Sequence, residues 1–489
     1  MTISPRQIHT ILASLILVMF LGSVEQAIVA PALPVIATHF GRAAGISWVV
    51  TAYLLCATPG TLVVGKLSDI LGRRRVMMAS VGIFITGSLL CALAPSLTWL
   101  IVGRLVQGAG GAGLISLPNA IVGDIVSPRE RGRYQVYISG TYAMAGLAGP
   151  ICGGLLTTLF SWRGVFWAFV PLSLFALLIV SRTLRVLPVP IVHSRFDFLG
   201  AGLMSGSMAC ILIAIQQAPA LDGTLAFWPA TAILAAAFVL RELRTQQPLL
   251  PMRLFRDAVV VATSVGGFLV VATIASFAAY LPIVYELGYG LSTSQAGFVL
   301  SSPLVGIVIG NYAGGQYMRR TGRYRLPPLW GSAVAAAASV AMATFVVRVD
   351  LSVFIVLTLI ASIGAGACLP PMLVAVQNAM HGREMGIATS LQICSRALGG
   401  MIGVAVLGMI MLSAVGAEIN ASGNVGELRL LSASNASVQH GFHLFFQGCA
   451  LIFAAAFAVL LLLLKEKQFR AHAAAVEAAF ADVKSAIGR

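Results

Sequence analysis

Charged residues are scarce in this chain, and acidic residues are the scarcest of them. Only 10 % of the 489 residues are charged, with 16 Asp or Glu against 31 Lys or Arg. Soluble globular domains carry about 25 % charged residues, so the composition argues against an ordinary soluble protein. With so few acids, a carboxylate inside an apolar stretch becomes a candidate for a functional role.

Cysteine chemistry and metal binding are also poorly supported. The seven cysteines form no CxxC pair and have no histidine-rich neighbourhood, and those are the patterns typical of redox and metal sites. All seven lie within apolar stretches, where small packing residues are expected. The sequence predicts no disulfide framework, no metal site and no cofactor. Since no pairing of a nucleophile with a base is apparent, we expect no enzyme.

By contrast, long apolar stretches are abundant. Hydrophobic residues make up 58 % of the chain and the mean hydropathy is +0.94. A helix of about 20 apolar residues spans the roughly 30 Å hydrocarbon core of a bilayer. Fourteen stretches approach or exceed that length, at approximately 8–30, 47–65, 76–95, 98–122, 136–160, 164–182, 198–217, 226–241, 258–283, 293–314, 327–347, 351–377, 386–411 and 441–464. We predict an all-α, polytopic membrane protein with fourteen transmembrane helices.

The basic residues predict its orientation. If both termini are cytoplasmic, 25 of the 31 Lys and Arg lie on the cytoplasmic side and four lie outside, as the positive-inside rule requires. The net charge of +15 therefore reports topology, and we expect no binding of nucleic acid. The predicted location is a plasma membrane or a bacterial inner membrane.

The two halves of the chain are alike. The segment GKLSDILGRRR at 65–75 returns 250 residues later as GQYMRRTGRYR at 315–325. Internal repeats are typical of secondary transporters, which hold the substrate between the repeats. The predicted domains are an N-terminal six-helix bundle at 1–182, a linker with two additional transmembrane helices at 183–257, a C-terminal six-helix bundle at 258–464 with an outer loop at about 412–440, and a cytoplasmic tail at 465–489.

One acidic residue lies well inside a predicted span. Glu25 is about five residues from the outer end of the first span, where an ionised side chain is costly and marks a functional site by default. Arg104, on the antiparallel fourth span, lies at a similar depth and is its expected partner. Loss of this partner would favour the protonated carboxyl, so we predict a proton-coupling pair. A static buried ion pair is the alternative.

Glycine and proline indicate a helix that can slide or bend. The fifth predicted span carries Gly146, Gly149, Pro150, Gly153 and Gly154. Small residues at this spacing allow close packing of membrane helices, and proline removes one backbone hydrogen bond. Two of the glycines recur 250 residues later as Gly399 and Gly403.

Other polar and aromatic side chains are candidates for a substrate cavity, namely Gln26, Trp48, Tyr53, Gln107, Tyr137, Tyr142 and Arg396. The rings could hold a lipophilic cation by cation–π attraction, although aromatic residues equally suit packing or the interfacial belt. Arg396 is a second deep cation with three open interpretations. It can contact a backbone carbonyl, an anionic part of a substrate, or a water-filled cavity.

Together these features resemble the major facilitator superfamily, and within it the fourteen-span drug:proton antiporter branch, over nearly the whole chain. The motifs that match are Gly65, Leu67, Asp69, Gly72, Arg73 and Arg74 after the second span, Arg104, Gln107 and Gly108 on the fourth, and Gly149, Pro150, Gly153 and Gly154 on the fifth. VEQAIVAPALP at 24–34 is similar to the family's helix 1 motif, which usually carries Asp where this chain has Glu25.

The resemblance implies a major facilitator fold of two six-helix bundles plus two inserted helices. It also implies a conformational latch on the cytoplasmic side, formed by Asp69 with Arg73, Arg74 and Arg75. Ile70 stands where a basic residue often follows the Asp, so the latch would depend on the three arginines. The second repeat has an arginine in place of the Asp and cannot supply this carboxylate.

The expected function is therefore a proton-coupled antiporter that exports small amphipathic compounds, including cationic drugs or antiseptics, by alternating access. Its expected partners are the substrate, protons as the coupling ion and the lipid bilayer, and a periplasmic adaptor is left open. One alternative is an exporter of a specific endogenous metabolite or anionic compound. The other is a non-transporting membrane sensor or scaffold.

Overall fold

The structure is a computed structural model that describes residues 5–40, 48–126, 128–186, 196–217, 227–245, 248–291, 293–380, 384–422 and 436–466. Within these residues every regular element is helical, which confirms the all-α prediction. Part of the predicted outer loop and all but the first two residues of the predicted tail lie outside the described residues.

The α-helices are α1 (Pro5–Ile28), α2 (Leu33–Phe40), α3 (Trp48–Leu71), α4 (Arg73–Ala92), α5 (Leu97–Ile125), α6 (Pro128–Phe160), α7 (Trp162–Thr183), α8 (Phe198–Gln217), α9 (Phe227–Arg244), α10 (Ala258–Ile283), α11 (Thr293–Val299), α12 (Ser301–Thr321), α13 (Leu326–Phe345), α14 (Leu351–Ala379), α15 (Glu384–Ser422) and α16 (Ala436–Leu463). Short 3₁₀ segments lie at Ala30–Ala32, Leu184–Val186 and Met252–Arg256, and a π-helical turn at Val284–Gly288 extends α10.

Twelve helical segments of the described residues are long and apolar enough to cross a membrane. The predicted fourteen include two more, α8 of 20 residues and α9 of 18 residues, which pack against each other. The last turn of α9 carries Arg241 and Arg244, which shortens its apolar part. The crossing of the bilayer by this pair stays a prediction.

A backbone requirement explains the glycine that recurs in the two arginine-rich segments. Gly72, between α3 and α4, has a φ of 94°, and Gly322, at the end of α12, has a φ of 68°. A Cβ atom is disfavoured at such angles. The backbone N–H of Gly322 also donates to Met318 O at 2.8 Å and caps α12. Both repeats thus use glycine to end one membrane helix and begin the next within a few residues.

The predicted span at 293–314 corresponds to a segment, Gln295–Thr321, that is long and apolar enough to cross a membrane. A one-residue irregularity at Leu300 divides it into α11 and α12. Pro303 lies in the first turn of α12. It has no N–H to donate to the carbonyl of Val299, and its ring crowds that carbonyl. The helix is therefore interrupted just before the proline.

The two halves pack in the same way. In the first half α1 packs on α6, α3 on α5, and α4 on both α5 and α7. In the second half α10 packs on α15, α12 on α14, and α13 on both α14 and α16. Each half has a hydrophobic core of its own, one between residues 11 and 184 and the other between residues 259 and 464. The duplication in the sequence is thus a duplication of a packing unit.

The halves meet at the end of the molecule that carries residues 73–75 and 319–325, here called the arginine-rich end. A third hydrophobic core at this end combines Leu62 of α3 and Phe238 of α9 with Val376 of α14. Nearby, Gln377 Nε2 of α14 donates to Asn119 O of α5 at 3.1 Å. The inserted helices α8 and α9 therefore share a core with both halves, and the halves are in contact at the arginine-rich end.

Candidate functional site

A buried ion pair joins α1 to α5. Glu25 lies three residues before the end of α1, and its side chain is 0 % exposed while that of Arg104 is 2 % exposed. Arg104 Nη1 donates to Glu25 Oε1. The second oxygen, Oε2, is buried and accepts no hydrogen bond from the described residues. The charged carboxylate is therefore paired with Arg104 at only one of its two oxygens.

Several hydrogen bonds fix the position of Arg104. Its Nε donates to Val49 O in the first turn of α3 at 2.8 Å, and its Nη1 also donates to Gln107 Oε1 at 2.7 Å. Gln107 Nε2 in turn donates to Ser88 Oγ of α4 at 2.9 Å. The guanidinium thus connects α1, α3 and α5, and a buried charge with this many partners recovers much of its desolvation penalty.

Tyr53 of α3 stacks on the same guanidinium. The Arg104 Cζ atom lies 4.6 Å from the centre of the ring, a cation–π distance. Glycines on α5 make room for the tyrosine, because a Cβ atom at Gly108 would lie 2.2 Å from Tyr53 O and one at Gly111 would lie 2.2 Å from the Tyr53 hydroxyl oxygen. Two residues predicted to line a substrate cavity, Tyr53 and Gln107, therefore belong to the ion-pair network and are buried.

Glycines bring α6 onto the end of α1 beside Glu25. A Cβ atom at Gly149 would lie 2.5 Å from Ala27 Cβ, and one at Gly153 would lie 2.2 Å from Ile28 O. Real Cβ atoms need a separation of about 3.5 Å or more, so both positions require glycine in this packing. A movement of α6 along α1 would therefore change the packing of α1 next to the Glu25–Arg104 pair.

The other residues of the predicted antiporter motif have different surroundings. A Cβ atom at Gly146 would first meet Leu304 of the second half at 3.9 Å, and one at Gly154 would meet no atom within 4 Å. Pro150 is exposed. The second half repeats the close approach, because a Cβ atom at Gly399 of α15 would lie 2.1 Å from Phe268 O of α10.

A second charged cluster lies at the arginine-rich end. Arg73 Nη1 is 2.6 Å from Asp69 Oδ1, and Arg73 Nε is 2.8 Å from Asp124 Oδ2. All three residues belong to the first half. The cluster touches the second half at Gly386 in the first turn of α15, where a Cβ atom would lie 2.2 Å from Asp69 Oδ1. The side chains of Asp69 and Arg73 thus pack against the backbone of α15 at Gly386.

The other two arginines predicted for the latch do not join this cluster. The Nε and Nη2 atoms of Arg74 donate to Ser181 O of α7 at 3.2 and 3.0 Å, and Arg75 is exposed. Sequence reasoning missed Asp124. The antiparallel order of α4 and α5 could have found it, because the start of α4 and the end of α5 lie at the same end of the bundle.

The remaining predicted cavity residues do not form one site. Tyr137 lines a cavity of about 200 Å³ between α1, α5 and α6, together with His9. This cavity is at the arginine-rich end, far along α1 from Glu25. Trp48 is half-buried and Gln26 is exposed.

Tyr142 and Arg396 lie near each other across the interface between the halves. They belong to α6 and α15 respectively. Arg396 Nη2 donates to Leu369 O of α14 at 2.6 Å. The backbone-carbonyl contact that was one of three interpretations of Arg396 is thus present, and it occupies only part of the guanidinium.

Metal-binding geometry is not found in the described part of the chain, where no three His, Cys, Asp or Glu side chains group closely enough to hold an ion. All seven cysteines are free thiols.

Comparison with known proteins agrees with this architecture. The chain matches the family model of the Major Facilitator Superfamily over residues 15–404. An uncharacterised MFS-type transporter of Mycobacterium tuberculosis is 29 % identical over 452 residues, which cover 90 % of this chain and 64 % of that protein, so this chain spans just under two thirds of that relative. The multidrug transporter protein MdtP of Bacillus subtilis is 27 % identical over 409 residues, which cover 82 % of this chain and 75 % of MdtP.

A solved structure shows the same fold. The human organic anion transporter MFSD10 aligns with a TM-score of 0.67 at 16 % identity, over 94 % of this chain and 100 % of that chain. At this identity the likeness concerns the fold alone. Because the family model covers most of the chain, this protein belongs to the major facilitator superfamily, a family of membrane transporters and not of enzymes.

Proposed function

We propose that this transporter is a proton-coupled antiporter of the fourteen-span drug:proton branch, which exports small amphipathic compounds by alternating access. The observation that carries the proposal is the Glu25–Arg104 pair. A carboxylate that is 0 % exposed and paired at one oxygen only has a charged form that depends on a single cation. Separation of the pair favours proton uptake.

Two states of the pair describe the coupling. With Arg104 in contact, Glu25 is ionised and the proton is absent. When the helices move and the contact weakens, desolvation dominates and Glu25 takes a proton. A proton and a substrate that bind in different states of the same helices exchange across the membrane, because each biases the equilibrium between the states.

The available driving force is sufficient for useful export. One proton that enters down about 100 mV releases about 2.3 kcal/mol, and one pH unit adds about 1.4 kcal/mol. Their sum corresponds to a concentration ratio of a few hundredfold for a neutral substrate. One proton per substrate would therefore keep an amphipathic compound at a low internal concentration.

The proposed placement has the arginine-rich end and both termini in the cytoplasm of a cell bounded by a plasma or bacterial inner membrane. Arginine-rich short loops support it through the positive-inside rule. With α8 and α9 as membrane helices the total is fourteen, which keeps both termini on the same side. The Asp69 cluster would then act as the cytoplasmic latch, with Arg73 as its cation.

The substrate class has two candidates. A relative that carries the name multidrug transporter supports a range of amphipathic drugs, the cationic ones expected from the sequence included. The half-buried, deep guanidinium of Arg396 favours compounds with an anionic group instead. Both candidates use the same proton coupling.

Reconstitution tests the coupling directly. Purified protein in liposomes with an imposed pH gradient is given labelled cationic, neutral and anionic compounds, and substrate movement is followed together with internal pH. We expect the wild type to move at least one compound against its gradient. We expect Glu25→Gln to lose the response to the pH gradient, because the amide cannot exchange a proton.

A matched control separates coupling from a general effect of losing a carboxylate. Glu286→Gln changes a half-buried glutamate in the π-helical turn after α10, away from the Glu25–Arg104 pair. We expect this variant to respond to the pH gradient like the wild type. Unchanged pH-driven transport by Glu25→Gln would overturn the proposed coupling.

A further inference from the structure

Arg396 is a deep cation whose position calls for an explanation. It lies 12 residues after Glu384, the first residue of α15, which is about 18 Å along a helix at ~1.5 Å per residue. This places it near the middle of a bilayer core of about 30 Å. A charged side chain at this depth is costly and is retained where it serves a pathway or a partner.

The bonding of Arg396 differs from that of Arg104. Its Nη2 donates to Leu369 O at 2.6 Å. The side-chain oxygen of Gln392 accepts from Nε at 3.1 Å and from Nη2 at 2.6 Å in the amide orientation that satisfies both groups. Both partners are neutral. Arg396 takes part in none of the five ion pairs that the described residues form.

The guanidinium of Arg396 therefore has N–H donors that make no hydrogen bond within the described residues. Nε and Nη2 are engaged, whereas Nη1 donates to no acceptor in the described part of the chain. Arginine presents five N–H donors in a planar fork that fits a carboxylate or sulfonate at two points. The neutral partners hold the fork in place and leave its charge and one edge uncompensated.

Arg396 lies on α15, the helix of the second half that packs on α3 and α5 of the first half. Arg396 is half-buried where Arg104 is only 2 % exposed. Its stem runs past Gly267 of α10, where a Cβ atom would lie 3.2 Å from Arg396 Cγ. Tyr142 of the opposite half is 40 % exposed and lies near it. The guanidinium thus faces the interface at which transporters of this architecture bind substrates.

We infer that Arg396 is an anchor for an anionic group of the transported compound, so that the interface between the halves selects amphipathic molecules with a carboxylate, sulfonate or similar anion. The inference rests on the proposed export function and names its substrate class. It replaces the cationic class, because Glu25 is 0 % exposed and already paired and offers no charge to a cationic ligand in this conformation. An uncompensated guanidinium repels such a ligand.

Three naphthalene compounds that differ in charge, one anionic, one neutral and one cationic, test the inference. Equilibrium binding of naphthalene-1-sulfonate, neutral naphthalene-1-sulfonamide and cationic 1-naphthylmethylammonium is measured on the purified full-length protein without a pH gradient. We expect the wild type to bind the sulfonate at least tenfold more tightly than the other two. We expect Arg396→Gln to lose about tenfold or more in sulfonate affinity, with the sulfonamide unchanged and the cation unchanged or tighter.

Two further variants make the result specific. Arg396→Lys keeps the charge but not the fork, so it should retain part of the sulfonate preference, and it serves as the test if the Gln variant does not fold. Arg348→Gln removes an exposed arginine from the loop after α13 in the same half and should bind like the wild type. Equal affinity of the wild type for the three compounds, or equal loss for sulfonate and sulfonamide in Arg396→Gln, would overturn the inference.

Failure here is distinguishable from failure of the proposed function. Binding without a gradient does not involve proton transfer at Glu25, so the charge preference can be present in a protein that is not proton-coupled. Conversely, pH-driven export that depends on Glu25 can be present in a protein with no preference for anions.

Discussion

The contact between Gly65 and Ser390 allows the closed arginine-rich end to be perturbed by a single methyl group. Gly65 is on α3 of the first half and Ser390 is on α15 of the second half. A Cβ atom at Gly65 would lie 2.2 Å from Ser390 Oγ and 2.8 Å from Ser390 Cβ. The hydroxyl can rotate away but the Cβ atom cannot. The helices must therefore separate by about 1 Å to restore a carbon–carbon contact of ~3.5 Å or more.

The expected magnitude follows from where this separation acts. Inserting a methyl group into a packed region typically costs about 1–3 kcal/mol. Here the contact joins the two halves, so under the proposed alternating access the penalty falls on the state that is closed at the arginine-rich end and not on the folding of either half. Gly65→Ala should shift the closed-to-open equilibrium by about 5- to 150-fold toward the open state.

Distances between spin labels measure this shift. Leu71 at the end of α3 and Leu326 at the start of α13 are 46 % and 42 % exposed and belong to opposite halves at the arginine-rich end. In a variant without native cysteines, labels at these two positions report the separation of the halves. We expect Gly65→Ala to enrich the longer distance.

Two controls make the prediction refutable. Gly82→Ala on α4 places a Cβ atom where no atom lies within 4 Å, so the distances should match those of the parent. Ser390→Gly combined with Gly65→Ala removes the obstructing Cβ and should restore the closed state. A Gly65→Ala distribution like that of the parent, or no rescue by Ser390→Gly, would refute the reasoning.

Two further predictions concern stability. Gly153→Ala should lower the thermal unfolding temperature, because its Cβ atom would lie 2.2 Å from the backbone Ile28 O. Gly154→Ala should leave that temperature unchanged, since its Cβ atom meets nothing within 4 Å. Equal unfolding temperatures of the two variants would contradict this packing. Glu242 accepts the backbone N–H groups of Leu249 and Leu250 at 3.3 and 3.0 Å. Glu242→Ala should therefore destabilise the fold by about 1–3 kcal/mol for each donor left without a partner, with Glu242→Gln affected less in the same unfolding assay, and a stability equal to that of the wild type would refute the assignment.

The positions of the helices and the depth of the charged residues could be read from the sequence because both follow from hydropathy. Glu25 and Arg104 lie at similar distances from the outer ends of antiparallel spans, and the structure brings them into contact. The glycine recurring at Gly72 and Gly322 was visible as a repeat, although its cause, a positive φ, needs the backbone.

Contacts to backbone atoms could not be predicted. Asp69 packs against the backbone of Gly386, and Gly153 packs against Ile28 O. The side chains of Gly386 and Ile28 give no sign of these contacts in the sequence, because the contacts are made by the backbone. The sequence also grouped Tyr137 with Tyr142 as cavity residues. Five residues on a helix amount to a rotation of about 140° and a rise of about 7.5 Å, which separates their rings, so a shared aromatic character did not imply a shared site.

One helix connects the two charged clusters, and this arrangement bears on how the proposed proton site would control the proposed cytoplasmic latch. The first turn of α3 holds Arg104 through Val49 O, and its last turns carry Gly65 and Asp69, which meet α15. Val49 and Asp69 are 20 residues apart, about 30 Å along a helix. Release of Val49 from Arg104 would let α3 tilt as a whole or bend at Pro59, which lies between the two contacts. In the proposed coupling, α3 thus links the charge of Glu25 to the arginine-rich end without any contact between Glu25 and the second half.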